Sequence, residues 1–342
     1  MAITKTQLLR LSLCKNWFWL SIREPESLST SEGGKALATE GIAFETFARE
    51  KFPQGVLLKS FGEPAVAKTN ELLSAGKSCL FQATAMCDDF LVKADVLQRN
   101  DGGKFDLFEV KASTEIKDEY LLDVAIQRAV FNDAGIEIEN CFLVILDRVY
   151  RRDGELELNS AIQIDDVTAQ SRALEGVEVR PLMAEAKRLL SLNEVPVTNV
   201  GDLTCSPKGA NRCGCADVSY ENLPDFSVFD IARLSRDDCS KLINRGIVTI
   251  DEIKPRSIKL SQQQAIQVVL TQKKLRKVYE DKLKSELDQI RYPIYFLDYE
   301  TYNFALPRLD GFSPYQHYVF QYSLHVQDTP GAELRHLSLI HI

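Results

Sequence analysis

The chain has 342 residues, of which 45% are apolar and 26% charged, and its formal net charge is −8. This composition is typical of a water-soluble globular protein long enough for two or three domains. The acidic balance argues against a protein that coats nucleic acid nonspecifically. No apolar run approaches the roughly 18 residues of a membrane span, and the start of the chain lacks the apolar centre of a signal peptide. We therefore expect a cytoplasmic protein with no membrane-embedded segment.

The first half of the chain alternates between helical and strand-like segments. Helices are indicated by apolar residues at helical spacing, and strands by short apolar runs bounded by turn residues. The segments in order are a helix at 35–52, strands at 78–86, 90–98 and 104–113, a helix at 117–135 and a strand at 141–150. The sequence RNDGGK between the second and third strands is a strong hairpin signal. This order predicts an α/β fold with a central mixed sheet flanked by helices.

Three charged residues on the predicted hairpin form a candidate site. Glu109 and Lys111 stand two apart on one strand and therefore share a face, while Asp95 lies on the neighbouring strand. Two converging carboxylates make a hard oxygen site of the kind that Mg²⁺ or Mn²⁺ prefers. From spacing alone, an ion-pair ladder on a solvated face of the sheet is the competing interpretation.

The order and spacing of these residues resemble the motif of the PD-(D/E)XK nucleases, which share a restriction-endonuclease-like core. Gln127 in DVAIQRAVF resembles the glutamine motif of the RecB-like branch, with Phe131 where that branch usually has Tyr. Glu45 stands where RecB-like nucleases usually have His. The resemblance covers about residues 1–220. It implies metal-dependent hydrolysis of DNA phosphodiester bonds.

The same resemblance implies a role for each residue. Asp95 and Glu109 would hold the Mg²⁺ or Mn²⁺ ion, and Lys111 would position or activate the attacking water. Gln127 and Glu45 would support them. We count all five as candidate catalytic residues.

Four cysteines flank this region, namely Cys14 before it and Cys205, Cys213 and Cys215 after it. They resemble the cysteines of the iron–sulfur-containing RecB-like nucleases, such as the CRISPR-adaptation and AddB-type enzymes. That resemblance implies a 4Fe–4S cluster. Four thiolates suit Zn²⁺ equally by number, and a loop of thiols without a metal is a third interpretation.

The middle of the chain, about residues 221–290, is expected to be helical. Two short helices around Gly246 resemble a helix-hairpin-helix turn, with a plain helical linker as the alternative. A long charged helix is expected over 261–289. Basic residues cluster at Arg148, Arg151 and Arg152 and in the run 273–277, as a local basic groove or as a solvated face.

Residues 291–342 begin with YPIYFLDYET, in which Asp298 and Glu300 resemble the opening motif of the DEDD-type, DnaQ-like exonucleases of the RNase H fold. Both carboxylates bind metal in that family. Only 42 residues follow Glu300, fewer than a whole domain of this kind needs. We therefore expect a truncated RNase H-like segment with an incomplete second metal site and no exonuclease activity. The combination resembles a bacterial family of uncharacterised RecB-type nucleases.

The main hypothesis is a metal-dependent deoxyribonuclease, expected to be an exonuclease, that hydrolyses single-stranded DNA or DNA ends in repair, recombination or defence. DNA is the expected partner, RNA is the alternative substrate, and a helicase or repair protein is an expected associate. The second hypothesis is a nucleic-acid-binding or scaffolding protein with a decayed nuclease core. Glu45 and Phe131 are the departures that favour the second hypothesis.

Overall fold

The structure is a computed structural model that describes residues 2–28, 32–196, 206–208 and 212–340, with the backbone alone for 32–37 and 338–340. Its strands are β1 (Ile3–Thr4), β2 (Val56–Leu57), β3 (Cys79–Cys87), β4 (Phe90–Arg99), β5 (Phe105–Val110), β6 (Ile138–Leu146), β7 (Ile162–Asp166), β8 (Ile294–Tyr302), β9 (Tyr318–Gln327) and β10 (Arg335–Ile340). Its helices are α1 (Lys5–Leu13), α2 (Lys15–Arg23), α3 (Glu32–Ala48), α4 (Glu63–Ser74), α5 (Asp118–Asp133), α6 (Leu158–Ala161), α7 (Thr168–Leu174), α8 (Arg180–Leu190), α9 (Ala216–Ser219), α10 (Arg236–Ile243), α11 (Gln262–Gln272) and α12 (Glu280–Leu287).

Seven strands form one mixed sheet, in the order β2-β3-β4-β5-β6-β7, with β1 paired to β4. The β3–β4, β4–β5 and β6–β7 pairs are antiparallel, whereas β5–β6, β2–β3 and β1–β4 are parallel. Helix α5 connects the parallel strands β5 and β6, as such a crossover requires. The expected mixed sheet flanked by helices is therefore confirmed, and the Asn-Asp-Gly-Gly hairpin does connect β4 and β5.

Both faces of this sheet are covered. On one face, α1, α5 and α8 contribute Leu8, Phe131 and Met183 to a buried cluster with the strands. On the other face, Phe44 and Phe47 of α3 pack with Phe81, Phe108 and Val144. Burial on both faces explains why β6 reads as a nearly continuous apolar run.

The middle region differs from expectation in two places. The long helix over 261–289 is instead two helices, α11 and α12, and Lys274 between them has a left-handed φ of +51°. Gly246 follows α10 with a φ of +78°, but only a 3₁₀ turn, Ile250–Glu252, comes after it. Pro255 follows closely and opposes extension of that turn into a helix. Of the two short helices expected around Gly246, the first is therefore present as α10, and the expectation of a second helix is wrong.

The last strands form a separate antiparallel sheet in the order β10-β9-β8. The connection between β8 and β9, residues 303–317, returns to the first sheet, and we call it the docking loop. Ala305 N donates to the buried Glu40 carboxylate (2.9 Å), and the Tyr315 hydroxyl donates to Ala112 O (2.6 Å). The docking loop therefore contributes Ala305 to the apolar cluster on the α3 face of the first sheet.

Candidate functional site

The candidate site lies where β4 and β5 separate. Strand β5 pairs with β4 only over Phe105–Phe108, although it pairs with β6 up to Val110. Strand β1 pairs with the beginning of β4, at Phe90 and Leu91. Because α1 begins directly after β1, its first residue enters the space that opens between β4 and the end of β5.

Five side chains meet there and form what we call the charge cluster, namely Lys5, Glu109, Lys111, Asp123 and Gln127. Both lysines donate to Glu109 Oε1, Lys5 at 2.7 Å and Lys111 at 2.8 Å. Lys5 lies 3.2 Å from Asp123 Oδ1, and Lys111 lies 2.6 Å from Asp123 Oδ2. The carboxylates are almost fully buried, with 3% exposure for the Glu109 side chain, so this is not a ladder on a solvated face.

Gln127 on α5 connects the two carboxylates of the charge cluster. Its amide nitrogen donates to Glu109 Oε2 and to Asp123 Oδ1, both at 2.8 Å. Asp123 and Gln127 stand one turn apart on α5, so their side chains share a face of the helix. Among the described residues, the buried Gln127 Oε1 has no hydrogen-bond partner, and a buried acceptor of this kind is expected to attract a donor or a cation.

Asp95 and Glu45 form a second group beside the charge cluster, connected by Gln82. Asp95 Oδ2 accepts a hydrogen bond from Val110 N at 2.9 Å, which fixes Asp95 next to the end of β5. The Gln82 amide donates to Asp95 Oδ1 at 3.1 Å and also to Glu45 Oε1. Glu45 is further held by Arg49, which directly follows the end of α3, at 2.5 Å.

The backbone at Gln82 is unusual for a strand. Its φ is +60°, and the pairing of β3 with β4 skips it, running from Phe81–Val96 to Ala83–Ala94. A left-handed conformation costs energy for a residue with a side chain, and such residues concentrate at functional sites. The skipped position is the one opposite Asp95, so the distortion brings the Gln82 amide onto that carboxylate.

Burial and charge shift the pKa values in opposite directions within the site. Burial, with the nearby charges of Asp123 and Asp95, raises the pKa of Glu109 to about 7. Burial also raises the pKa of Asp95, and the charge of Glu45 adds to this effect. Although burial alone would raise the pKa of Asp123, Lys5 and Lys111 hold it below its ordinary value.

The two lysines of the charge cluster remain protonated. Burial alone would lower the pKa of Lys5 and Lys111, but the carboxylates of Asp123 and Glu109 raise both values above the ordinary one. At neutral pH the charge cluster therefore contains two ammonium groups, an ionised Asp123 and a Glu109 close to its midpoint. A carboxylate with a raised pKa beside one with a lowered pKa is characteristic of functional sites.

The structure brings together all five residues predicted for this site and adds three that the sequence analysis missed, namely Lys5, Asp123 and Gln82. Asp123 could have been found from its position one turn before Gln127. Lys5 carried no such signal, since it is 104 residues from Glu109. Among the described residues, no group of three or more His, Cys, Asp or Glu side chains is arranged to hold a metal ion as it stands.

A second candidate site is formed by the cysteines. Cys14, at the start of α2, lies 3.6 Å from Cys215 between the sulfur atoms, and Cys213 lies 3.2 Å from Cys215. Both distances exceed the roughly 2.05 Å of a disulfide. The three thiols are buried with Trp19 in an apolar cluster. Cys205 lies outside the described residues.

The remaining predicted groups are placed elsewhere. Asp298 and Glu300 are exposed on β8, opposite Ser323 and Gln321 of β9. In the first basic cluster, Arg151 and Arg152 donate to the docking-loop carbonyls of Gly311 and Pro307. These two arginines therefore support the docking loop. The basic run 273–277 is exposed at its four cationic positions.

No described helix is long and apolar enough to cross a membrane. The family model of a domain of unknown function, DUF2779, matches residues 295–341, which contain most of β8 and all of β9 and β10. No curated protein matches the chain. Among solved structures, the chain is similar to one described as the crystal structure of SSO0001, with 16% identity over 58% of this chain and 79% of that chain. The TM-score of 0.26 is too low for this likeness to indicate a fold or a function.

Proposed function

We propose that the protein is a metal-dependent nuclease of the RecB-like PD-(D/E)XK type that hydrolyses DNA phosphodiester bonds. The observation that carries the proposal is the buried charge cluster beside Asp95. Burying several charges costs more in desolvation than their attraction usually returns, so such a cluster is poor evidence of a purely stabilising role. Its members include Glu109, Lys111 and Gln127, which are three of the residues of the RecB-like motif.

The carboxylates fit a divalent cation in chemical type. Asp95 and Glu109 offer hard oxygen donors. Their pKa values are raised chiefly by burial and further by neighbouring carboxylates, and a bound cation would offset that negative charge. Both Glu109 oxygens already accept hydrogen bonds from Lys5, Lys111 and Gln127. A cation would therefore exchange with part of these contacts, and Gln127 Oε1 offers a further acceptor.

Bound between Asp95 and Glu109, Mg²⁺ or Mn²⁺ would polarise the phosphodiester and lower the pKa of a water molecule. The protein groups around it hold charge and position. Lys111, 22% exposed at its side chain, is the member of the Glu109-x-Lys111 pair that can reach solvent and substrate. Its ammonium can stabilise negative charge on the phosphate or orient the attacking water. Asp123 and Gln127 hold Lys111 and Glu109 in place.

The test is cleavage of end-labelled single-stranded DNA and RNA by the full chain in Mg²⁺ or Mn²⁺. We expect cleavage of DNA by the wild type and a loss of at least 100-fold in Asp95→Asn and in Lys111→Ala. Asp106→Asn and Lys104→Ala on the same hairpin are the matched controls and should cleave as the wild type does. Cleavage that survives in both site variants would refute the assignment, and preference for RNA would change the substrate.

Binding without cleavage is the second candidate function. Glu45 is held by Arg49 and Gln82, and Glu109 accepts hydrogen bonds from three side chains, which favours a site that has lost its metal. A wild-type protein that binds DNA but cleaves neither nucleic acid, and takes up no Mn²⁺, would establish this alternative.

The cysteines supply a separate proposal, a metal centre that joins α2 to the segment before α9. Zn²⁺ at about 2.3 Å from each thiolate would place tetrahedral sulfur atoms roughly 3.8 Å apart, close to the 3.6 Å between Cys14 and Cys215. In a 4Fe–4S cluster the sulfur ligands bind different iron atoms and stand further apart, so the thiols would have to separate. Anaerobic purification with an absorbance spectrum and metal analysis distinguishes iron from zinc, and a metal-free, colourless protein would refute both.

For Asp298 and Glu300, the proposal remains that they resemble the opening motif of the DEDD-type exonucleases. Both side chains are exposed on one strand, and the family model that matches there describes a domain of unknown function. We expect no cleavage from this pair, so the Asp95→Asn variant should be inactive even though it retains Asp298 and Glu300.

A further inference from the structure

Lys5 is the one member of the charge cluster that comes from α1, whereas the others lie at the end of β5 or on α5. It is the first residue of α1, and β1 before it pairs with β4 at the separation of β4 and β5. The side chain of Lys5 is only 18% exposed. Its position is set by a capping box, in which the Thr4 and Gln7 side chains satisfy the backbone at the start of α1.

Lys5 duplicates the contacts of Lys111. Both ammonium groups donate to the same oxygen, Glu109 Oε1, and each lies against a different oxygen of Asp123. Two positive charges therefore face two carboxylates, and Asp95 adds a third carboxylate beside them. Phosphoryl transfer often uses two divalent cations about 3.5–4 Å apart, one near the attacking oxygen and one near the leaving oxygen. Here the space next to Glu109 and Asp123 already contains a fixed cation.

We propose that Lys5 is a positioning residue that takes the place of a second divalent cation, so that the site works with a single metal ion. This inference rests on the proposed nuclease function. The Lys5 ammonium holds Glu109 and Asp123, and its positive charge also acts on the nearby Asp95 carboxylate. One divalent cation then suffices, held by Asp95 and Glu109.

Removal of the ammonium has a definite consequence. In Lys5→Ala, Glu109 and Asp123 lose one of their two cations and gain open space, which is what a hydrated Mn²⁺ ion needs. We therefore expect the number of bound Mn²⁺ ions to rise from one in the wild type towards two in the variant. Lys5→Arg keeps the charge and should stay at one.

The experiment measures Mn²⁺ stoichiometry by isothermal titration calorimetry, together with DNA cleavage as a function of Mn²⁺ concentration. Lys5→Gln is measured beside Lys5→Ala, because it removes the charge while keeping most of the side-chain volume. Asp95→Asn identifies which of the bound ions belongs to the site. Lys15→Ala, which removes an exposed lysine paired with Glu185, is the matched control. Circular dichroism establishes that each variant is folded.

We expect Lys5→Ala and Lys5→Gln to lower cleavage at least tenfold at low Mn²⁺, with a steeper dependence on Mn²⁺ concentration. Lys5→Arg should restore most of the activity, which a purely structural role would not require. Two Mn²⁺ ions in the wild-type site would overturn the inference, as would unchanged stoichiometry and activity in Lys5→Ala and Lys5→Gln. A wild type that cleaves nothing refutes the nuclease proposal instead, and the stoichiometry of the variants still decides the role of Lys5.

Discussion

Asp123→Asn is the substitution that best tests the energetics of the charge cluster. The Asp123 side chain is 2% exposed and accepts from Lys111 at 2.6 Å and from Gln127 at 2.8 Å, with Lys5 at 3.2 Å. An amide of the same shape removes the charge and puts an NH₂ donor against other donors. Removing one partner of a buried ion pair costs about 3–5 kcal/mol. Because the two lysines keep some access to water, we expect the lower end, about 3 kcal/mol.

The measurement is unfolding in urea and by heat at pH 7, followed by circular dichroism. The pKa of Asp123 is lowered in the folded protein, so its stabilising contribution is complete above its unfolded-state pKa of about 4 and is lost only as the pH falls below that value. At pH 7 the full effect is therefore seen. A loss of about 3 kcal/mol corresponds to roughly 6–12 °C in Tm for a unit of about 200 residues.

Asp133→Asn, at the end of the same helix, is the control. Asp133 pairs with Arg180 at 2.5 and 3.0 Å, but both side chains are substantially exposed, and exposed pairs contribute about 1 kcal/mol or less. Asp123→Asn and Lys5→Gln together should cost less than the sum of the two single changes by at least about 0.5 kcal/mol, because the residues are in contact. Equal losses at positions 123 and 133 would refute the reasoning.

Three further predictions concern the metal site, the core and the docking loop. Burial raises the pKa of Glu109 to about 7, so a proton competes with the metal ion for this carboxylate below pH 7. The Mn²⁺ affinity measured by calorimetry should therefore rise by up to about tenfold per pH unit between pH 6 and 7 and level off above pH 7. An affinity that does not change with pH would contradict this. Phe131→Tyr puts a hydroxyl at a fully buried apolar position and should lower the free energy of unfolding in urea by about 1–3 kcal/mol. Unchanged stability would contradict this. Tyr315→Phe removes the 2.6 Å hydrogen bond to Ala112 O and should lower the free energy of unfolding by about 1 kcal/mol. It should also speed limited proteolysis in the docking loop. An unchanged rate of digestion would indicate that apolar contacts alone hold the loop.

The strands of the first sheet were predictable because their signals are local. The alternation of apolar residues in β4 and the Asn-Asp-Gly-Gly turn both lie within a few residues of what they determine. Strand β6 is apolar from Cys141 to Leu146 because it is buried on both faces. Strand β7 escaped prediction. Its burial pattern, with Ile162 buried and most of the other residues exposed, is that of an edge strand with little apolar signal.

The candidate site was predictable only where its residues share an element or a hairpin. Asp95 lies on one strand of the hairpin, Glu109 and Lys111 lie at the end of the other strand, and Gln127 lies on the next helix, so their proximity follows from local topology. Lys5 reaches the site through the two-residue strand β1, whose pairing with β4 leaves no mark on the sequence. The break at Lys274 was missed for a related reason, since a lysine in a left-handed conformation carries no glycine or proline signal.

The docking loop also bears on how the two sheets are inherited. A chain that ended before β8 would keep every strand of the first sheet, yet it would leave the Glu40 carboxylate buried without the Ala305 amide and expose part of the cluster around Phe44. Arg152 would lose its backbone partner Phe312 O as well. Recombination that separates the two sheets therefore damages the first one directly. We expect the segment that matches the domain of unknown function and the sheet that bears Asp95 to be retained or lost together in evolution.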